Sequence, residues 1–136
     1  MTPSPWQRWS ESFTETSGDA FAHITAPGIT LDGSILARPI HGRHAVWATL
    51  NTAAGIYDSL IFTHQATADG RVYLEWNATA LGLRFDGVTI LVADDQGQFA
   101  RVALHHRPIA AVLAVSAEMA RRLAESPLAD RFYPSP

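Results

Sequence analysis

The stretch 56–107 constrains this chain most. Three turn signals divide it, Ala68-Asp69-Gly70, Gly82 and Asp94-Asp95-Gln96-Gly97. The segments between them, 56–68, 71–81, 83–93 and 98–107, are rich in β-branched and aromatic residues, which suit strands. Asp-Gly pairs reach the positive-φ conformations of tight hairpins. Consecutive strands joined this closely pair antiparallel. The second half of the chain is therefore expected to be a four-stranded meander.

What precedes and follows it reads as helical. Trp6, Trp9 and Phe13, then Phe21 and Ile24, recur at helical steps over 5–25. Ser17-Gly18-Asp19 interrupts them, so two short helices are expected, with Ser17 or Asp19 capping the second. Ala26-Pro27-Gly28 ends helical structure. A first strand over 29–37 carries Ile29, Leu31 and Ile35, with a turn or bulge at Asp32-Gly33. After a connector over 38–42, Ala45, Val46, Leu50 and Ala53 mark a helix over 43–54, stopped by Gly55. Pro108 opens a last helix whose stripe, Ile109, Val112, Leu113, Met119, Ala120 and Leu123, lasts to Glu125. Helices gathered around a meander predict an α+β fold, helices on one face of a strongly curved sheet. Such a sheet encloses a cone whose mouth is a ligand pocket. One domain is expected over 1–136, its ordered core at about 6–125.

Composition narrows the function classes. Charged residues are 17% of 136, with a formal net charge of −3, so there is no basic excess to neutralise a nucleic-acid backbone. All ten basic residues are Arg, and Cys is absent, which removes disulfides and covalent chemistry by an amine or a thiol. No apolar run approaches the roughly 20 residues that span a bilayer, and the first residues lack the apolar core of a signal peptide. The expectation is a cytoplasmic protein without nucleic-acid or membrane partners. With so little charge, apolar surface should be covered by a ligand or a partner subunit.

The element order, with the residues at its joints, resembles the nuclear transport factor 2-like superfamily, which includes SnoaL-like polyketide cyclases, ketosteroid isomerases and limonene epoxide hydrolases. The resemblance runs from about Trp6 to Leu123. It is carried by Arg38-Pro39-Ile40-His41-Gly42-Arg43, Val72-Tyr73-Leu74-Glu75-Trp76, Phe85-Asp86-Gly87-Val88, Asp94-Asp95-Gln96-Gly97-Gln98-Phe99 and Arg107-Pro108. It implies a cystatin-like α+β roll, a homodimer, and a pocket between concave sheet and helices. It does not imply one activity, because the fold hosts enzymes and plain binders. Of the isomerase set, Asp32 corresponds to the base, the position of the acidic donor falls on Thr89, and the first helix has no Tyr. The Asp-Arg-Asp set of the epoxide hydrolases is not evident, and no spacing fixes the Asp-His pair of the cyclases.

Strand alternation selects candidates. If Val102 and Leu104 face the pocket, so does His106, while His105 points outward. Family anchoring turns Val72, Leu74 and Trp76 inward and Tyr73, Glu75 and Asn77 outward. His106, an imidazole in an apolar cone, and Asp32 are the expected catalytic groups. Trp47, Phe62, His64, Val72, Leu74, Trp76, Phe85, Thr89, Leu91, Val102 and Leu104 are the expected ligand-binding set. His41 and His44 lack a third ligand, so no metal is expected, and no cofactor. The convex face, with Tyr73, Glu75, Asn77, Ala103 and His105, is the expected homodimer surface.

Two functions follow. One is a cofactor-independent cyclase or isomerase moving a proton on a hydrophobic carbonyl compound. The other is a non-catalytic ligand-binding or dimeric assembly module of the same fold. A pocket closed by Trp47, Trp76 and neighbouring aromatics favours the second; polar groups converging on an open cavity favour the first.

Overall fold

The computed structural model of this chain describes residues 5–14 and 18–134. Two short helices, α1 (Pro5–Thr14) and α2 (Asp19–Ile24), lead into strand β1 (Thr25–Gly33). Then come β2 (Ile40–His41), α3 (Arg43–Ala54), the meander β3 (Tyr57–Ala68), β4 (Arg71–Ala80), β5 (Leu83–Ala93) and β6 (Phe99–Arg107), and finally α4 (Ile109–Arg122). The six strands form one sheet in the order β2-β1-β6-β5-β4-β3. The meander is antiparallel throughout, and β1 runs parallel to β6. The expected α+β architecture is present: a curved, unclosed sheet with helices across its concave face.

The turns follow their local chemistry. Asp69 and Gly70, and again Leu81 and Gly82, take positive φ, as two-residue hairpin loops require. In the last hairpin the Asp94 carboxylate accepts from the amides of Gln96 at 2.9 Å and Gln98 at 3.0 Å, which preorganises the loop.

Several boundaries differ from the sequence expectation. β1 begins at Thr25 and ends at Gly33, so Ile35 is buried in the following loop rather than in a strand. The connector after it contains β2, which pairs with β1 through Thr30 and Leu31. Gly18, not Asp19, is the N-cap of α2. Ser17 and the Trp6 side chain lie outside what is described. The chain stays packed beyond Glu125: a short 3-10 helix (Pro127–Arg131) leads to Phe132, which is buried and bridges to Leu36.

The core lies between sheet and helices. Trp9, Phe21, Ile29, Leu31, Val46, Leu74, Leu91, Val102, Val115 and Met119 are almost fully buried there. Three hydroxyls, those of Thr25 and Ser116 buried and that of Ser34 half-buried, tie its layers. Thr25 Oγ1 donates to the Phe21 carbonyl at 2.6 Å, and its oxygen accepts from Arg43 Nε at 3.3 Å. Ser34 Oγ donates to the Leu104 carbonyl at 3.3 Å and accepts from the His106 amide at 2.8 Å. Ser116 Oγ, on α4, donates to the Ile35 carbonyl at 2.6 Å and accepts from the Tyr133 amide at 2.8 Å.

Gly33 makes the β1–β6 contact possible. A Cβ there would lie 2.2 Å from the Leu104 carbonyl oxygen. Gly33→Ala is expected to destabilise the protein by about 2 kcal/mol or more, the cost of forcing an atom into a packed backbone contact. Ser116→Ala leaves a buried carbonyl and an amide unpaired and should cost about 1–3 kcal/mol. Urea unfolding of both variants against the parent chain measures this.

Candidate functional site

Alternation turns Val72, Leu74, Trp76, Ala78 and Ala80 of β4 into the cone, and all are buried. Trp76, Gly87 and His106 stand in one row across β4, β5 and β6. A Cβ on Gly87 would fall 2.3 Å from the Trp76 indole, so the ring rests where that side chain would be. Its Nε1 donates to Thr89 Oγ1 at 2.9 Å. Its edge meets the His106 ring at a centroid distance of 4.9 Å and the Phe85 ring at 6.0 Å, both near perpendicular, a favoured aromatic geometry.

Among the described residues a narrow cavity opens between the sheet and the helices. Its volume is about 40 Å³, and the depression around it, counted with the space open to solvent, is about 600 Å³. Trp9 and Phe13 of α1, Thr49, Leu50 and Ala53 of α3, Leu31 and Ile35 around the end of β1, and Tyr57, Leu60 and Phe62 of β3 form most of the wall. Trp76, Thr89 and Leu104 of the meander complete it, with Asp32 and Gly33 beside them.

Asp32 and Tyr57 are the titratable groups of this wall among the described residues. Asp32 is exposed at the strand end, and one of its oxygens accepts from the Gly33 amide at 2.9 Å. The Ser34 bridge between β1 and β6 holds that strand end in place. Burial pushes the Tyr57 phenol well above its usual range, so it remains a donor at any working pH. The Thr89 hydroxyl accepts from Trp76 and keeps its own proton to donate.

The expected site residues divide. Asp32, Phe62, Trp76, Thr89 and Leu104 share the cavity wall. His106 lies on the inner face, as alternation implied, yet it does not reach the wall: Trp76 and Phe85 cover it. Both its ring nitrogens are buried without a hydrogen-bond partner. Burial, with a smaller contribution from the charge of His105, lowers its pKa to about 4. His64 points outward, its Nδ1 3.0 Å from Glu75 Oε2 on the exposed face. The register shifts between Phe62 and His64, and this bulge breaks the alternation that would have put both inside. Leu74, Leu91 and Val102 are solid core at 0% exposure, and Phe85 packs behind Trp76 against Tyr57. Val72 lies near Phe99 at a cleft beside Ile24. Trp47 is outside the cone, where a Cβ on Gly18 would lie 3.9 Å from its indole, and it stacks with His44. Tyr57 was not anticipated; a Tyr opening a strand just after a helix has no sequence signal separating it from core.

No protein-family model and no curated protein matches the sequence. Solved structures do. A steroid delta-isomerase from Pseudomonas aeruginosa superposes with a TM-score of 0.77 at 25% identity, covering 88% of this chain and 89% of that one. A bacterial protein of cystatin-like fold from Silicibacter pomeroyi gives a TM-score of 0.80 at 16% identity, with coverage of 89% and 86%. The chain has the nuclear transport factor 2-like fold. A SnoaL-like polyketide cyclase from a Jannaschia species shares it at a TM-score of 0.64 and 15% identity, covering 86% and 98%. Within this nuclear transport factor 2-like cone, the place expected for an acidic donor is held by Thr89, whose hydroxyl anchors an indole instead. Among the described residues no group of three or more metal-ligating side chains converges, and no helix is long and apolar enough to cross a membrane.

The buried imidazole has a measurable consequence. Burial holds the His106 pKa down at about 4 in the folded chain, against the ordinary 6.5 of an exposed imidazole in the unfolded one. Between those values the unfolded chain holds the extra proton, so stability falls as pH drops through this window. The loss should approach about 3 kcal/mol by pH 4. Urea unfolding at pH 7 and 4.5 reads it, and His106→Leu should flatten that part of the profile.

Proposed function

We propose that this chain binds a small apolar carbonyl compound at the mouth of the cone and moves a proton on it without a cofactor. The observation that carries the reading is the placement of Asp32 as the one carboxylate, among the described residues, in a largely apolar wall that also holds the Tyr57 phenol. Asp32 takes a proton from the carbon next to the carbonyl. Tyr57 donates a hydrogen bond to the oxygen as negative charge develops there, with the Thr89 proton as a second donor. Return of the proton to a different carbon completes an isomerisation, and Asp32 regains its charge. The likeness to a steroid delta-isomerase supports this class of reaction. His106 has no part in it, since its ring nitrogens are buried, it stays neutral, and it is not among the residues of the cavity wall.

A suitable first substrate is 3-cyclohexenone, whose conversion to the conjugated enone is followed by ultraviolet absorbance. The parent chain should turn it over. Asp32→Asn should lower kcat by about 10²-fold or more, the usual worth of a positioned base. Tyr57→Phe should lower it by a similar factor, as for a lost oxyanion donor, with folding intact by circular dichroism. Equal turnover in the parent chain and Asp32→Asn overturns the reading. The small cavity volume, about 40 Å³, favours a second one, a non-catalytic ligand-binding or dimeric module. Ligand binding that survives Asp32→Asn, with no turnover in either chain, would establish it.

The outer sheet face is proposed as a homodimer surface. Tyr73, Val88 and Ile90 are half-buried and Ala103 is buried there, with exposed Glu75, Asn77 and His105 around them. Such a centre with a polar rim suits a second copy. The parent chain should sediment as a dimer at micromolar concentration and Ile90→Arg as a monomer.

A further inference from the structure

A second cleft is distinct from the cone cavity. Its volume is about 590 Å³, within the roughly 300–1,000 Å³ of small-molecule pockets. It shares no lining residue with the cavity that Asp32 borders. Register separates the two along β1. Phe99 of the cleft pairs with Thr25 at the start of that strand, and Leu104 of the cavity pairs with Gly33 at its end. The two walls touch where Trp9 of the cavity packs edge-on against Phe99 at a centroid distance of 6.2 Å.

The lining of the cleft is drawn from segments far apart in the chain. Ile24 at the end of α2, Val72 near the start of β4 and Phe99 at the start of β6 are its apolar part. Val72 is buried and the other two are half-buried. Arg8 of α1, His23 of α2, and Gln96 and Gln98 of the last hairpin are its polar part. Among the described residues, none of these four side chains makes a hydrogen bond or an ion pair within the chain. No carboxylate lines the cleft there either. Asp94, close by in sequence, is engaged with the amides of Gln96 and Gln98, which fixes the loop that carries both glutamines. Glu11 and Asp95 are exposed and are not among the lining residues.

We infer that this cleft binds an organic monocarboxylate with an aliphatic tail, the carboxylate on Arg8 and the tail on Ile24, Val72 and Phe99. A guanidinium is charged at any working pH, and its planar fork matches a carboxylate. The two glutamine amides and the His23 imidazole supply further donors. One permanent positive charge balances one carboxylate, whereas a phosphate monoester would bring nearly twice that charge. The tail removes apolar surface from water, which the charged end alone does not. This site is independent of the reaction proposed at Asp32.

Octanoate is the probe, its binding to the full chain measured by calorimetry at pH 7. The parent chain should bind it, and should bind acetate, which lacks the tail, and octanol, which lacks the charge, each about tenfold more weakly or less. Arg8→Gln should weaken octanoate by about tenfold or more, with folding intact by circular dichroism. Gln98→Glu, which brings a negative charge to the same cleft, should weaken it by a similar factor. Arg84→Gln makes the same change of charge at an exposed position outside the cleft, and should bind octanoate as the parent chain does. Octanoate binding that is unchanged in both Arg8→Gln and Gln98→Glu overturns the cleft as its site, and so does an equal loss in Arg8→Gln and Arg84→Gln. Octanol binding as tight as that of octanoate overturns the role of the carboxylate. Failure of the parent chain to bind octanoate overturns the inference and leaves the reading of Asp32 untouched.

Discussion

The parallel contact between β1 and β6 joins the two halves of this molecule. The meander is a chain of local hairpins, and α1, α2 and α3 belong to the segment before it. Only where β1 lies on β6 does that segment enter the sheet. The contact depends on Gly33, whose missing side chain lets the strand end approach the Leu104 carbonyl, and on the Ser34 hydroxyl, which bridges Leu104 and His106. Everything proposed for the site inherits its geometry from this joint, because Asp32 is the residue just before it.

The interior is apolar, and it spends its few polar groups on fastening elements together. Thr25, Ser34 and Ser116 each link two segments far apart in the chain. A buried hydroxyl that both donates and accepts satisfies itself and two backbone or side-chain partners, so its desolvation is compensated. The Trp47 indole nitrogen is an exception, and so is His106. Its two nitrogens are buried without partners, a state an imidazole tolerates only by remaining neutral. Trp76 is what keeps it so. The same indole forms part of the cavity wall, whose titratable groups among the described residues are Asp32 and Tyr57.

Much of the fold was legible because local rules govern hairpins and helices. Asp69-Gly70 and Gly97 reach positive φ cheaply, and α3 and β5 run over the residues expected from periodicity and stop signals. Errors arose where a long-range partner decides. β2 is two residues long and exists only through its pairing with β1, and Phe132 is held by Leu36 and the core rather than by anything near it in sequence. The site was legible in part for the same reason. Family anchoring put Trp76 and Thr89, and alternation Leu104, on the inner face where they lie, but one extra residue between Phe62 and His64 turned His64 outward.

The sequence by itself determined the order of elements, the hairpin turns, the apolar interior and the absence of amine or thiol chemistry, since these depend on residue type and spacing of neighbours along the chain. Only the tertiary structure decided what the cone contains. Whether an inward-facing side chain lines a cavity or fills it depends on the volumes that meet it from other strands. Trp76 fills the cone because Gly87, eleven residues later, makes room and Thr89 binds its nitrogen. His106 is shut away by the same meeting of three strands, a packing outcome that alternation along one strand does not encode.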